Sequence, residues 1–131
     1  MPHFLVPLLQ RPDRRHGLRL RRTGRLVATD VSGAFDSETR RRGLLGREGL
    51  AAGQALVIAP CSSIHTAFMR FPIDVVFMSR QGAVLKVAAC VPPWRIRLRF
   101  WAFAVIELPA GAARDADLKT GDMLELADAG R

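Results

Sequence analysis

Short apolar segments, separated by glycine, proline and charged residues, run along the chain from residue 25 onwards. Their length and their content of β-branched residues are typical of strands. One segment alternates strictly, with arginines on one side and apolar residues on the other: Arg95, Arg97 and Arg99 against Ile96, Leu98 and Phe100. The pattern predicts strands within residues 26–31, 55–59, 61–71, 73–78, 83–91, 94–100, 103–108 and 123–126.

The most apolar stretch, Cys61–Met78, contains a single proline near its middle. Because proline fixes its own backbone and restricts the residue before it, Pro72 predicts a bend between two extended segments. We expect this bend to bring the two segments side by side. The stretch nevertheless carries a histidine, an arginine and an aspartate, namely His65, Arg70 and Asp74.

Helical signals are few. Asp36 or Ser37 can cap a short helix that has Glu38 in its first turn and arginines near its end. The nearby glycines keep this helix short, and residues 109–117 allow one or two further helical turns. We therefore predict a mainly β fold: a single compact β-sandwich or barrel-like domain of six to eight short strands with one or two short helices.

Charge suggests how the 131 residues are organised. The formal net charge is +8, and much of it comes from arginines between residues 11 and 25. We expect a loosely ordered basic N-terminal arm over residues 1–24, one β-rich domain over 25–127 and a C-terminal tail over 128–131. The chain is long enough to bury the core of one domain.

No apolar run approaches the ~20 residues of a membrane helix. The segment Phe4–Leu9 is too short for a signal peptide and is followed, not preceded, by arginines. These features predict a cytoplasmic protein without membrane insertion, in which Cys61 and Cys90 are reduced thiols. No paired metal-binding motif is present, so we expect neither a metal nor another cofactor.

Three motifs, in order along the chain, resemble those of one protein family. They are Arg42–Arg47 (RGLLGR), Phe68–Phe77 (FMRFPIDVVF), and Glu107–Gly111 (ELPAG) followed by Gly121-Asp122. Together they are similar to the motifs of the bacterial and archaeal family called domain of unknown function 192. The resemblance implies a compact β-rich fold with a short helix, and it implies no established activity.

The first candidate site is formed by His65, Arg70 and Asp74. An Arg–carboxylate pair beside an imidazole could hold a polar or anionic ligand, or could position a proton-transfer group. The more conservative interpretation is a buried hydrogen-bond network that fixes the bend at Pro72. Trp94 and Cys61 complete the set of ligand-binding candidates. Glu107, Gly111, Gly121 and Asp122 are assigned to strand-end and turn geometry.

Two further arrangements carry alternative chemistry. Cys61 and His65 could form a thiol–imidazole pair, although an inert buried cysteine is the favoured interpretation. Arg95, Arg97 and Arg99, with tryptophans nearby, could bind phosphates or nucleic acid. The favoured interpretation of these arginines is the solvated face of an edge strand.

These observations predict a non-catalytic binding or accessory module that uses the surface around His65, Arg70 and Asp74. Its partner would be another protein or a small polar or anionic ligand. One alternative is a small enzyme, a hydrolase or a thiol-dependent enzyme, that uses His65 with Cys61 or Asp74. A second alternative is nucleic-acid or anion binding through the three alternating arginines.

Overall fold

The computed structural model describes residues 3–130, and over this range the chain is mainly β. It has ten strands and three short helices. The strands are β1 (Arg15–Leu20), β2 (Leu26–Ala28), β3 (Asp30–Ala34), β4 (Gln54–Ile58), β5 (Ser63–His65), β6 (Ile73–Met78), β7 (Val84–Val91), β8 (Ile96–Leu98), β9 (Ala104–Pro109) and β10 (Leu124–Gly130). The helices are α1 (Val6–Gln10), α2 (Ser37–Arg42) and α3 (Ala112–Asp115). The prediction of a mainly β fold is confirmed, although its strand count was too low.

The strands form three sheets. The central sheet has the order β3-β4-β9-β6-β7, a second has the order β10-β1-β2, and β5 pairs with β8 in a two-stranded ribbon. Strands β3 and β4 are parallel and are connected through α2, whereas the other pairs are antiparallel. Over the described residues no sheet closes into a barrel.

Apolar clusters cover both faces of the central sheet. On one face the side chains of Val57, Val76 and Ile106 pack against Leu18 and Leu20 of the second sheet. On the other face lies a second cluster that includes Leu44, after α2, and Met69 in the β5–β6 connection. All six residues of β6 are therefore buried, as is usual for a strand covered on both faces.

The N-terminal segment differs from the loose arm expected over residues 1–24. Leu5, Leu18 and Leu20 are fully buried, and β1 pairs with both β10 and β2. The arginines that suggested a solvated arm face acidic residues instead: Arg14 with Asp128 at 2.9 Å, Arg19 with Glu125 at 3.2 Å and Arg22 with Asp122 at 2.9 Å. The expected tail over residues 128–131 likewise begins inside β10, and only Arg131 of it lies outside the described residues.

Pro72 does not bring its two flanking segments side by side, so that expectation was wrong. Both segments are extended, but β5 pairs with β8, whereas β6 pairs with β7 and β9. The chain reverses before the proline: Phe68 has φ +65° and the Met69 amide donates to the Thr66 carbonyl at 3.1 Å. This turn directs β5 away from the central sheet.

The predicted helix after Gly33 is α2. The Asp36 carboxylate accepts a hydrogen bond from the Thr39 amide at 2.8 Å, which caps the N-terminus. The helix ends at Arg42, and the next residue, Gly43, has a φ of +49°, which suits a residue without a Cβ. No helix within residues 3–130 is long and apolar enough to cross a membrane.

Candidate functional site

Asp74 is a buried structural residue, not a surface residue as predicted. One carboxylate oxygen accepts from the Cys90 amide at 2.8 Å, and the other accepts from the amides of Gly111 at 3.1 Å and Ala113 at 2.9 Å. Its side chain is fully buried in β6. These three bonds join β6, the end of β7 and the start of α3, so Asp74 fixes the fold.

The predicted constellation of His65, Arg70 and Asp74 is not assembled. Arg70 is exposed, and its guanidinium lies 3.8 Å from the carboxylate of exposed Glu48. His65 is exposed on β5, and its register partner is Ile96 of β8. Among the described residues no hydrogen bond or ion pair connects any two of the three. The buried-network interpretation therefore fits Asp74 alone.

An exposed apolar strip follows β8 and its flanking turns. Phe68 and Trp94 contact each other with ring centroids 4.6 Å apart in an edge-to-face arrangement. The strip comprises Phe68, Trp94, Ile96, Leu98, Phe100 and Trp101, all exposed. Apolar residues of this size are usually buried, and a cluster of them on a surface indicates a contact site.

Three aromatic residues of the strip have left-handed backbone conformations. The φ angles are +65° at Phe68, +67° at Trp94 and +68° at Trp101. The side chains of these residues are 72%, 60% and 94% exposed. Bulky residues rarely adopt positive φ, because the Cβ crowds the following carbonyl at a cost of roughly 1–2 kcal/mol per residue. Because the three residues are largely exposed, burial of apolar surface does not offset this backbone cost.

Thr66 anchors the strip from inside. Its buried hydroxyl donates to the Pro92 carbonyl at 2.7 Å and accepts from the Arg95 amide at 2.8 Å. Its carbonyl accepts from the Trp94 amide at 3.0 Å. One threonine thus fixes the turn that presents Trp94.

The alternating arginines lie in and around β8, which is an edge strand of the two-stranded ribbon; Arg95 is exposed, and Arg97 and Arg99 are half-buried. In β8 it is Ile96, 69% exposed, that projects into solvent, whereas Arg97 is half-buried. Each guanidinium donates to a backbone carbonyl of its own segment. Arg97 donates to Ile96 at 2.8 Å. Arg95 donates to Pro93 and Trp94, and Arg99 donates to Phe100. Within residues 3–130 none of the three forms an ion pair with a carboxylate. Their positive charge is therefore not neutralised by a carboxylate of the described residues.

A cleft of about 170 Å³ opens on the side of the central sheet that faces α2. Glu107 of β9 is the acidic residue of its lining, and only 4% of this residue is exposed. The remaining lining comes from Arg40–Leu45, Ile58, Cys61, Ser63–His65 and Met69. Glu107 lies in mid-strand opposite Leu56 and Val75, not at a strand end as predicted.

Burial raises the pKa of two groups that line the cleft, Glu107 and Cys61. Desolvation raises the pKa of Glu107 from 4.5 to about 7, and the charge of Arg47 opposes this increase. Desolvation also raises the pKa of the Cys61 thiol, and nearby Glu107 adds to the increase. The thiol donates to the Ser63 carbonyl at 3.0 Å and makes no hydrogen bond to His65 among the described residues. Both cysteines are free, and residues 3–130 contain no cluster suited to a metal ion.

The sequence matches the family DUF192, described as Uncharacterized ACR, over residues 18–126. The chain belongs to this family. The resemblance inferred from the three motifs is therefore confirmed, and the match extends into the second half of β1, which the motifs did not reach.

Solved structures share this DUF192 fold. A protein from Sinorhizobium meliloti 1021, named as a candidate transcription regulator, has a TM-score of 0.73 at 23% identity; the match covers 86% of this chain and 92% of that one. A protein of unknown function from Novosphingobium aromaticivorans DSM 12444 has a TM-score of 0.72 at 20% identity, covering 84% and 82%. At these identities the likeness establishes the fold. A comparison with curated proteins gives no match.

The family motifs meet at the cleft of the DUF192 domain. Arg42–Arg47 forms the end of α2 and the turn over Glu107, which itself begins the third motif. The second motif supplies Met69 to the lining and Asp74 to the support behind it. The sequence carried one signal for this site that we did not use: Glu107 is the single acid in the apolar strand β9.

Proposed function

We propose that this DUF192 domain is a binding module that engages an acidic protein partner through the exposed apolar strip. The observation that carries the proposal is the conformation of Phe68, Trp94 and Trp101, which are exposed and have positive φ. At these positions glycine would relieve the backbone, and a polar side chain would be better solvated. Strained conformations of this kind cluster at functional sites, and here the unfavourable backbone presents aromatic surface to a partner.

The composition of the strip supports a protein as the partner. Aromatic residues and arginine are enriched at the centres of protein interfaces, and Trp and Arg are frequent hot spots. Two aliphatic side chains, Ile96 and Leu98, lie between the aromatic ends of the strip. Aliphatic groups suit a protein surface better than stacked bases, which prefer aromatic platforms.

Charge complementarity specifies the partner further. Arg95 lines a shallow depression with Trp94 and Ile96. Arg97 and Arg99 alternate with the apolar residues of the same segment, and none of the three arginines has a carboxylate partner within residues 3–130. A partner that surrounds an apolar patch with aspartate or glutamate would neutralise them and would be steered to the surface by the net charge of +8. His65 faces the same side of the ribbon as Ile96, so it adjoins this surface.

The predicted enzyme alternative using Cys61 has less support. A thiol nucleophile needs a lowered pKa and a base within hydrogen-bond distance. Burial raises the pKa of Cys61, and its proton is directed to the Ser63 carbonyl. Asp74 also lacks the freedom to act on a substrate, because three backbone amides occupy its oxygens.

The test is selection of a random displayed peptide library on the wild-type domain and on the Trp101→Gly variant. We expect wild-type protein to enrich peptides that combine aromatic or aliphatic residues with aspartate or glutamate, and we expect Trp101→Gly to lose them. Arg114→Gln, a change at an exposed residue of α3, is the matched control and should enrich the same peptides.

Two outcomes would refute the proposal. One is enrichment that lacks acidic residues or that persists unchanged in Trp101→Gly. The other is that the strip binds a 20-nucleotide oligothymidine or phosphatidylglycerol vesicles, with steep salt dependence, while no peptide is enriched. That outcome would assign the surface to nucleic acid or to anionic lipid.

A further inference from the structure

Glu107 is a buried carboxyl group without a protein partner. Within residues 3–130 no group donates a hydrogen bond to it, and no basic side chain lies within ion-pair distance. Every fully enclosed polar side-chain atom of the described chain has a partner, so the oxygens of Glu107 must open into the cleft. Because these oxygens are accessible from the cleft, a bound molecule can reach them and form the hydrogen bond that no described residue provides.

The entrance of the cleft is positively charged. Arg41 lines it, and its side chain has no hydrogen bond or ion pair among the described residues. Arg40 instead donates to the carbonyls of Asp36 and Pro60, and Arg42 pairs with Glu38 at 3.2 Å. Arg41 is therefore the lining arginine that is available to a ligand.

The turn after α2 passes close to the Glu107 carboxyl group. A Cβ atom on Gly43 would lie 3.5 Å from Oε1 of Glu107, so a glycine at this position leaves the space beside the carboxyl group open. The volume of about 170 Å³ is below that of pockets for drug-sized molecules. The occupant must therefore be small, with polar groups at both ends.

We propose that this cleft binds a small hydroxylated anion, such as a hydroxy acid or a sugar phosphate, with its anionic group on Arg41 and a hydroxyl group on Glu107. The arginines around the entrance disfavour a cationic ligand, although a cation would pair with an ionised glutamate. The site adjoins the exposed apolar strip, because His65 lines both, but it does not depend on the protein partner proposed above.

Binding depends on pH because Glu107 and the anionic group would occupy the same small cleft. The charged or titratable groups that face the cleft from the surrounding elements are Glu107, Arg40, Arg41, Arg42, Cys61 and His65, with Arg47 acting from the turn after α2. When Glu107 ionises, its charge opposes the anion, so affinity falls as pH rises through about 7. A coupling of typical size between protonation and ligand binding changes the affinity by about fivefold or more.

The experiment is calorimetric titration of the full chain with glycerol 3-phosphate at pH 5.5 and pH 8.5. Because a phosphate monoester itself loses a proton at about pH 6, the effect of Glu107 is measured against Glu107→Gln. We expect wild type to bind at least about fivefold more weakly than this variant at pH 8.5 and about equally at pH 5.5. Glycerol, which lacks the anion, and inorganic phosphate, which lacks the hydroxyl-bearing carbons, should each bind more weakly than the complete probe. Amide shifts at Gly43 and Cys61 in NMR spectra locate the probe in the cleft.

Two variants make the outcome decisive. Glu107→Gln removes the charge but keeps hydrogen-bonding capacity, so at pH 8.5 it should lack the loss of affinity that the ionised glutamate causes in wild type. Arg41→Gln changes an exposed side chain and should abolish binding without affecting the fold, whereas Arg114→Gln should change nothing. The proposal is wrong if glycerol 3-phosphate does not shift the cleft amides, or if Arg41→Gln binds it as tightly as wild type.

Discussion

The Asp74 carboxylate accepts a hydrogen bond from the Ala113 amide at 2.9 Å, across 39 positions of the chain. The same oxygen accepts from Gly111, so a residue of β6 caps the first turn of α3. Because α3 directly follows β9, this cap fixes the end of the strand that carries Glu107. Two family motifs are thereby connected through one side chain.

Asp74→Ala should destabilise the domain by about 3–5 kcal/mol, because it leaves three amides without their acceptor. Asp74→Asn should lower the stability less than Asp74→Ala does. Its side-chain carbonyl still accepts a hydrogen bond, although its NH₂ group replaces one acceptor oxygen and faces an amide donor. Urea unfolding monitored by circular dichroism measures both changes. Asp117→Asn, on an exposed side chain, is the control and should change the free energy by less than about 0.5 kcal/mol. A loss of under 1 kcal/mol in Asp74→Ala would contradict the capping role.

Glu107→Gln should stabilise the domain at alkaline pH. The pKa is 4.5 in the unfolded chain and about 7 in the fold, so the folded state binds more protons between these values. Wild-type stability therefore falls as pH rises from 4.5 to 7, and the loss is constant above 7. The shift corresponds to about 3 kcal/mol.

The measurement for Glu107 is urea unfolding of both proteins at pH 4 and pH 8. The variant should be more stable than wild type by up to about 3 kcal/mol at pH 8 and nearly equal to it at pH 4. Comparing the variant with wild type cancels the titration of the other carboxyl groups. Glu48→Gln, at an exposed position, should show no such gain. Equal stability at pH 8 would mean that Glu107 is not held in a desolvated site.

Trp101→Gly should be at least as stable as Trp101→Ala. At an ordinary exposed position glycine costs about 0.5–1 kcal/mol relative to alanine. At φ +68° alanine keeps the Cβ crowding that glycine relieves, and the 94% exposed indole contributes little burial. Thermal melts of both variants test this, with the pair Leu98→Gly and Leu98→Ala as control. Glycine should be the less stable member of that pair, because Leu98 lies in β8. If Trp101→Gly is likewise less stable than Trp101→Ala, the backbone at Trp101 is not strained.

Leu18→Ala should cost about 2–5 kcal/mol, because Leu18 is fully buried between the second sheet and the central sheet. Leu9→Ala, at a half-exposed position, should cost less than about 1 kcal/mol. Chemical unfolding compares the two. A small effect at both positions would restore the view that residues 1–24 form a loose arm.

Local pattern was sufficient for the central strands and for α2. The run from Ala55 to Ala59 and the segment after Pro72 are apolar over strand length, and the structure places β4 and β6 there. Asp36 was also recognisable as an N-cap, because capping depends on residues three positions apart.

Long-range placement could not be predicted from local pattern. Asp74 looks like a surface acid until β6 is covered on both faces and the amides of Gly111 and Ala113 approach it. Glu107 becomes a cleft residue only because the parallel β3-α2-β4 unit places the turn after α2 above β9. In the N-terminal segment the alternation of His16, Leu18 and Leu20 was obscured by the surrounding arginines.

His65 borders both proposed sites. It lines the cleft with Glu107, and it also lines a shallow apolar depression with Trp94 and Ile96. A phenotype of a His65 variant therefore cannot by itself be assigned to the small anion or to the protein partner. Double-mutant cycles of His65 with Arg41 and with Trp101 separate the two contributions, because non-additivity reports on the shared contact. If both cycles show coupling, the two binding events communicate through a single imidazole.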